Sequence, residues 1–393
     1  MSAVRPGLEI LVTEQVRLLA GRRIGLLANQ ASVDRQFRHA ADLLAAAPGV
    51  ELKALFGPEH GLRGAAQDME AVTSSRDPAT GLPVHSLYGA TAATLAPTPS
   101  MLDGLDLMVC DLQDVGARYY TFSATILATL AAADRAQIPV IVTDRPNPLG
   151  GEVIEGPVLA PGFESFVGRL PVPVRHGMTL GELCLMGKDH LGYDVDLQVV
   201  PMAGWTRDQG WPATGLPWVL PSPNMPSVDT AVVYPGACLV EGTTMSEGRG
   251  TTRPFEFIGA PWLDPIRFAG ELNDLGHAGV RFRPHWFRPV TQKWAGVTCG
   301  GVEVHVDDPA SFRSFATFVA MLAIARRQSG GQFAWRTAPY EFEARHPAID
   351  LLAGSDRLRR DLEANRPLAE MEGEWTAMAD QFRRRRLPSL LYR

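Results

Sequence analysis

Short apolar runs recur through the first 150 residues, and each ends in a polar cluster. Residues 24–30 (IGLLANQ), 51–56 (ELKALF), 105–112 (LDLMVCDL) and 139–144 (PVIVTD) read as strands. Residues 37–46 and 119–136 read as helices; in the second, Thr125, Leu127, Leu130 and Ala133 sit among good helix formers. Strands alternating with helices imply right-handed crossovers and a parallel sheet. Nearly continuous apolar strands fit a sheet covered on both faces.

The pattern changes after about residue 200. Proline-rich loops fill 212–226, and all eight tryptophans lie at 205 or later. An extended stretch is predicted at 231–240, followed by a glycine-rich segment at 241–252 (EGTTMSEGRGTT). Helices are predicted near 265–275 and 311–326, with strands near 280–283 and 301–306. Arg383–Arg386 reads as a solvated helix end, where cations suit the helix dipole. The change of character divides the chain into an N-terminal domain, 1–229, and a C-terminal α/β domain, 230–393.

Composition narrows the function classes. The 393 residues are 46% hydrophobic and 20% charged, which is ordinary globular usage. A net charge of −6 gives no electrostatic footprint for nucleic acid or an anionic membrane. Only Lys53, Lys188 and Lys293 are lysines, so 34 of the 37 basic residues are arginine. The four cysteines form no CxxC pair, so neither a zinc site nor a disulfide framework is indicated. No P-loop, GxGxxG or GxSxG pattern occurs. No metal and no cofactor is therefore expected. The apolar stretch 315–325 is too short to span a bilayer. The opening MSAVRPGLEI lacks a signal-peptide pattern. A cytoplasmic site is expected if the chain is full length, and a periplasmic or extracellular one if a signal was trimmed.

In open parallel sheets, ligands bind beyond the carboxyl ends of the strands. Four such ends carry polar clusters here: Asn29-Gln30, Glu59-His60, Asp111 with Gln113 and Asp114, and Asp144-Arg145 with Asn147. Arg118 and Tyr119 follow the third. Glu59 is the sharpest candidate, because Pro58 and two glycines fix its turn. It either serves as a general acid or pairs with Arg63. His60 has no second histidine at metal-ligand spacing. Asp111 is a candidate second carboxylate, whereas Asp114 suits a helix cap. Arg118 and Arg145 either clamp an anionic substrate or pair with Asp114 and Asp144. In the second half, Glu241, Glu247 and Arg249 could face the same pocket across a cleft. Trp205, Trp211 and Trp218 could stack on sugars or simply pack.

Several motifs run nearly the whole chain: FGPEHGLRG (56–64), SLYG (86–89), DLQDVGARYYTF (111–122), TDRPNPLGG (143–151), EGPVL (155–159), RHGMTLGEL (175–183), PSPNMPS (221–227), EGTTMSEGRGTTRPFEFIGAPW (241–262) and LLY (390–392). With these motifs the chain resembles the NamZ-type exo-β-N-acetylmuramidases. The resemblance implies a Rossmann-like parallel-sheet N-terminal domain and a smaller C-terminal α/β domain that closes an active-site cleft. It also implies hydrolytic release of N-acetylmuramic acid from the non-reducing end of peptidoglycan fragments. The partners would be muramyl-glucosamine saccharides, with no metal or nucleotide. By resemblance Glu59 is the catalytic acid. The same motifs bring Glu247, Arg249, Asp111, Gln113, Asp114, Asp144, Arg145 and Asn147.

Glycoside hydrolysis needs an acid for the leaving oxygen and a second group for the oxocarbenium-like centre. Glu59 is expected to be the acid, and Asp111 or Glu247 the second carboxylate. Arg145 or Arg249 would hold the lactyl carboxylate. Asn29, Gln30, Asp114 and Asn147 would bind hydroxyls, with His60, Gln113, Arg118, Tyr119 and Asp144 completing the substrate site. The alternative is a non-catalytic muropeptide-binding protein that keeps the cleft without the chemistry.

Overall fold

A computed structural model describes residues 4–64, 66–67 and 69–393. The described residues of the first half form nine strands: β1 (Arg23–Ala28), β2 (Glu51–Gly57), β3 (Ser75–Arg76), β4 (Pro83–Ser86), β5 (Leu107–Asp111), β6 (Val140–Thr143), β7 (Glu155–Val158), β8 (Pro173–Arg175) and β9 (Leu197–Val200). Seven make one sheet in the order β3-β4-β2-β1-β5-β6-β9. Every neighbouring pair in it is parallel except β3 and β4. The α/β class and the parallel sheet expected from the sequence are both present.

Alternation along the strands explains the continuous apolar runs. Ile24 and Leu26 of β1, with Leu107 and Val109 of β5, enter one core beside the helices Gly7–Thr13 and Ala40–Ala46. Leu27, Met108 and Cys110 point to the opposite face. There the core passes through the helix Phe122–Ala136 and continues to Phe268, Phe315 and Leu351 of the second half. Apolar contact is therefore unbroken between the halves.

The helix Phe122–Ala136 is alanine-rich, as helix propensity favours, and ends where Gln137 turns left-handed at φ 54°. A further helix, Leu180–Leu191, begins with a capping box. Thr179 accepts from the Glu182 amide, and the Glu182 side chain accepts from the Thr179 amide. Its sequence signature is the T-x-x-E spacing of residues 179 and 182.

The second half contains β10 (Phe257–Ala260), β11 (Val280–Phe287) and β12 (Cys299–Val306) in an antiparallel sheet ordered β10-β12-β11. The helices Pro265–Asp274, Ser314–Gln328 and Leu368–Arg385 belong to it. Two expectations are corrected here. Residues 231–240 are not extended: they form the helix Val228–Ala237 and the tight turn Cys238–Gly242. This segment is buried on nearly all sides, so hydrophobic periodicity could not distinguish helix from strand. Arg386 is not solvated: it is buried and donates to the Gly177 carbonyl at 2.6 Å.

Candidate active site

The parallel register brings the predicted strand ends to one edge. Ala28 lies opposite Asp111, Gly57 opposite Ser86 and Thr143 opposite Val200. Beyond that edge lies a polar pocket with about 490 Å³ of empty space. From the first half it receives Glu59, His60 and the segment Tyr119-Tyr120-Thr121. From the second it receives Tyr234, Glu241, Arg249, Tyr340 and Glu341.

Glu59 is held by its turn. A Cβ on Gly57 would lie 2.7 Å from the Leu62 amide, so only glycine permits this close return of the chain. His60 takes the left-handed conformation at φ 69°, and its Nδ1 lies 3.0 Å from the Ala66 carbonyl. Glu59 itself is 5% exposed. Its Oε2 accepts from the Thr121 hydroxyl at 2.7 Å, and its Oε1 faces the Met69 amide at 3.4 Å. The alternative partner Arg63 binds Asp77 instead.

Glu241 enters from the turn Cys238–Gly242. That turn abuts the helix Ala348–Ala353, where a Cβ on Gly242 would lie 2.8 Å from Ile349. Glu241 accepts from the Tyr340 hydroxyl at 2.6 Å and from Arg249 at 2.8 Å. Burial pushes the Glu241 carboxyl up, but Arg249, Tyr340 and Lys293 outweigh it, so the net direction is down. Glu241 is therefore an ionised carboxylate inside the pocket. Burial raises the hydroxyls of Tyr119, Tyr120, Tyr234 and Tyr340, which stay neutral.

Glu247 stands behind Glu241, on a second cavity. It binds Lys293 at 2.9 Å, and Arg249 lies 3.6 Å away. Lys293 also donates to the carbonyls of Val240, Glu241 and Met245. One of the chain's three lysines thus ties down the segment that carries Glu241. Glu341 accepts from the Tyr88 hydroxyl at 2.8 Å, which gives the SLYG motif a structural task.

The remaining predicted residues are bound to other groups of the protein. Asp111, expected as a second carboxylate, does not line this pocket. It is fully buried, forms a two-point ion pair with Arg145 and accepts from Thr143. Arg145, expected to hold an anionic substrate group, is the other member of that pair. Arg118 donates to the carbonyls of Pro157, Val172 and Leu352, and burial lowers it to about 10. Asn29 and Gln30 donate to the carbonyls of Pro221 and Leu220. Gln113 donates to the carbonyls of Asp114 and Pro146, and Asn147 to that of Met178.

Asp114 accepts from the Gly116 amide at 2.7 Å, inside a loop rather than at a helix start. Burial raises its carboxyl to about 7. Asp144 accepts from Tyr392, Thr179 and the Gly181 amide, and burial raises it to about 6. The tryptophans pack: Trp205 meets Tyr392, and Trp211 meets Trp218 edge to face.

Of the predicted set, the pocket gathers Glu59, His60, Tyr119 and Arg249. The predicted set lacked Thr121, Tyr234, Tyr340 and Glu341. Glu241 was noted in the glycine-rich segment but given no catalytic role. Among the described residues, no group of three or more His, Cys, Asp or Glu is placed to hold a metal ion, and no helix is long and apolar enough to cross a membrane.

Two family domains match the chain. The family described as exo-beta-N-acetylmuramidase NamZ, N-terminal, covers residues 24–229, and its C-terminal counterpart covers 232–392. The peptidoglycan beta-N-acetylmuramidase NamZ of Bacillus subtilis (strain 168) is 41% identical over 390 residues, covering 99% of this chain and 91% of that protein. Two crystal structures of DUF1343 family proteins from Bacteroides fragilis NCTC 9343 are also similar. One has a TM-score of 0.89 at 33% identity, and the other 0.78 at 28%. Each match covers 100% of this chain and 99% of the other.

Proposed function

The chain belongs to the exo-beta-N-acetylmuramidase NamZ family and is a glycosidase, and from that premise we propose that it releases N-acetylmuramic acid from the non-reducing end of peptidoglycan-derived saccharides, with Glu59 as general acid. The observation that supports this reading is that Glu59 and Glu241, from opposite halves of the chain, line one polar pocket.

The two carboxyls have different surroundings: Glu59 meets a hydroxyl and an amide, Glu241 a guanidinium and a phenol. Thr121 can donate or accept, so it steadies Glu59 in either protonation state. Protonated Glu59 gives its proton to the glycosidic oxygen as the bond to the leaving sugar breaks. Glu241, kept ionised by Arg249 and Tyr340, faces the positive charge that grows on the sugar ring. Glu241 thus replaces Asp111 in the second role, with Glu247 behind it. Water completes the hydrolysis.

The test is incubation with a muramyl-glucosamine disaccharide. Release of both monosaccharides supports the proposal. A melting shift without products would instead identify a carbohydrate-binding protein.

A further inference from the structure

A second cavity, with about 1080 Å³ of empty space, adjoins the pocket and shares Glu241 with it. Met69, Lys293, Trp294 and Arg336 also line it. Its charges nearly cancel in pairs. Glu241 is matched by Arg249, and Glu247 by Lys293. Arg336 is left over: among the described residues no carboxylate lies within ion-pair distance of it.

Arg336 is nonetheless held in place. Its backbone amide donates to the Gly242 carbonyl at 2.8 Å, and its guanidinium sits 5.2 Å from the centre of the Tyr340 ring. Its Nη2 lies 3.7 Å from the Met69 sulfur. Tyr340 binds Glu241, and the Met69 amide faces Glu59, so Arg336 touches both residues that flank the carboxyl pair. The other candidate arginines are occupied. Arg145 binds Asp111, Arg118 binds carbonyls, and Arg249 lies between Glu241 and Glu247. A positioned, half-buried guanidinium with no carboxylate at ion-pair distance among the described residues is matched by a planar anion, to which it can present two parallel donors.

We propose that Arg336 reads the lactyl carboxylate of the substrate and so selects muramyl over glucosaminyl sugars. The proposal rests on the muramidase reading above. Two chromogenic N-acetylmuramides separate the two ideas, one with a free lactyl carboxylate and one with its primary carboxamide. The wild type is expected to prefer the carboxylate by about tenfold to a hundredfold in kcat/KM, the scale of a charged hydrogen-bonded pair. In Arg336→Met, which retains the backbone hydrogen bond, that ratio should fall close to one. Arg336→Lys should lie between. An unchanged ratio in Arg336→Met, or no preference in the wild type, overturns the assignment. If the wild type cleaves neither compound, the hydrolase reading fails on its own. Calorimetric binding of N-acetylmuramic acid and its carboxamide then decides the matter: loss of the preference in Arg336→Met supports the role of Arg336, and its retention refutes it.

Discussion

Thr121 and Glu59, 62 residues apart, meet at 2.7 Å, and the hydroxyl that precedes the helix Phe122–Ala136 thereby aims the carboxyl that follows β2. The ends of β2 and β5, which flank β1 in the sheet, are thus joined at the point where the proposed chemistry occurs. Glu59→Gln should lower kcat on a chromogenic N-acetylmuramide at least about a hundredfold, the scale of a lost acid catalyst, with an unchanged melting temperature. Thr121→Val should lower kcat about tenfold while sparing KM, because it frees the carboxyl without removing it. Near-normal turnover by Glu59→Gln would end the assignment of the acid.

Glu241 and Asp111 should behave oppositely. Glu241→Gln removes the ionised carboxylate from the pocket, and kcat should fall about a hundredfold or more. Asp111→Asn leaves the buried Arg145 without its partner. It should destabilise the fold by about 3–5 kcal/mol, seen in urea titration, while the molecules that remain folded keep their kcat. A kcat loss as large in Asp111→Asn as in Glu241→Gln, measured on folded protein, would restore Asp111 to the reaction.

Lys293→Met removes an ammonium that lies within hydrogen-bond reach of four acceptors, three backbone carbonyls and Glu247. A stability loss of about 2–4 kcal/mol is expected in denaturant unfolding. Because the freed segment carries Glu241, kcat should fall together with stability. Unchanged kinetics in a destabilised variant would show that Glu241 is positioned by Arg249 and Tyr340 alone.

Asp114 predicts a pH signature. Its buried carboxyl is raised to about 7 from an ordinary value of 3.8, so the folded state binds the proton more tightly than the unfolded chain. The resulting stability is complete below pH 3.8 and is lost as pH rises through about 7. His176, 3.7 Å away, is lowered to about 3 by burial and stays neutral throughout this window apart from its acid end. Asp114→Asn should therefore gain stability relative to the wild type as pH rises from 3.8 to about 7 in parallel thermal melts. A stability difference that does not change with pH would rule out a proton on Asp114.

The sheet and the turn at Glu59 were legible because both depend on local pattern: apolar strands, then a proline and glycines that fix one carboxylate. The strand-end clusters were ambiguous. Asp111, Arg145 and Asn147 are as polar as substrate ligands, yet their partners are each other and the backbone of neighbouring loops. Nothing in their spacing distinguishes the two uses. Tyr340 and Glu341 were not legible at all. They reach the pocket only because the second half packs on the first, and no local period records that approach. The helix Val228–Ala237 was legible from its cap, Ser227, which accepts from the Thr230 amide at 3.2 Å; the apolar run after it hid the signal.

Asp144 and Tyr392 are 248 residues apart along the chain, and the Tyr392 hydroxyl reaches Asp144 at 2.7 Å. A nascent chain that has emerged only as far as β9 can pair its parallel strands but still lacks this donor. Its sheet must wait, incompletely fastened, until residue 392 has been synthesised. Tyr392 thus fastens the residue that follows β6, and its removal should loosen the N-terminal sheet from 248 residues away.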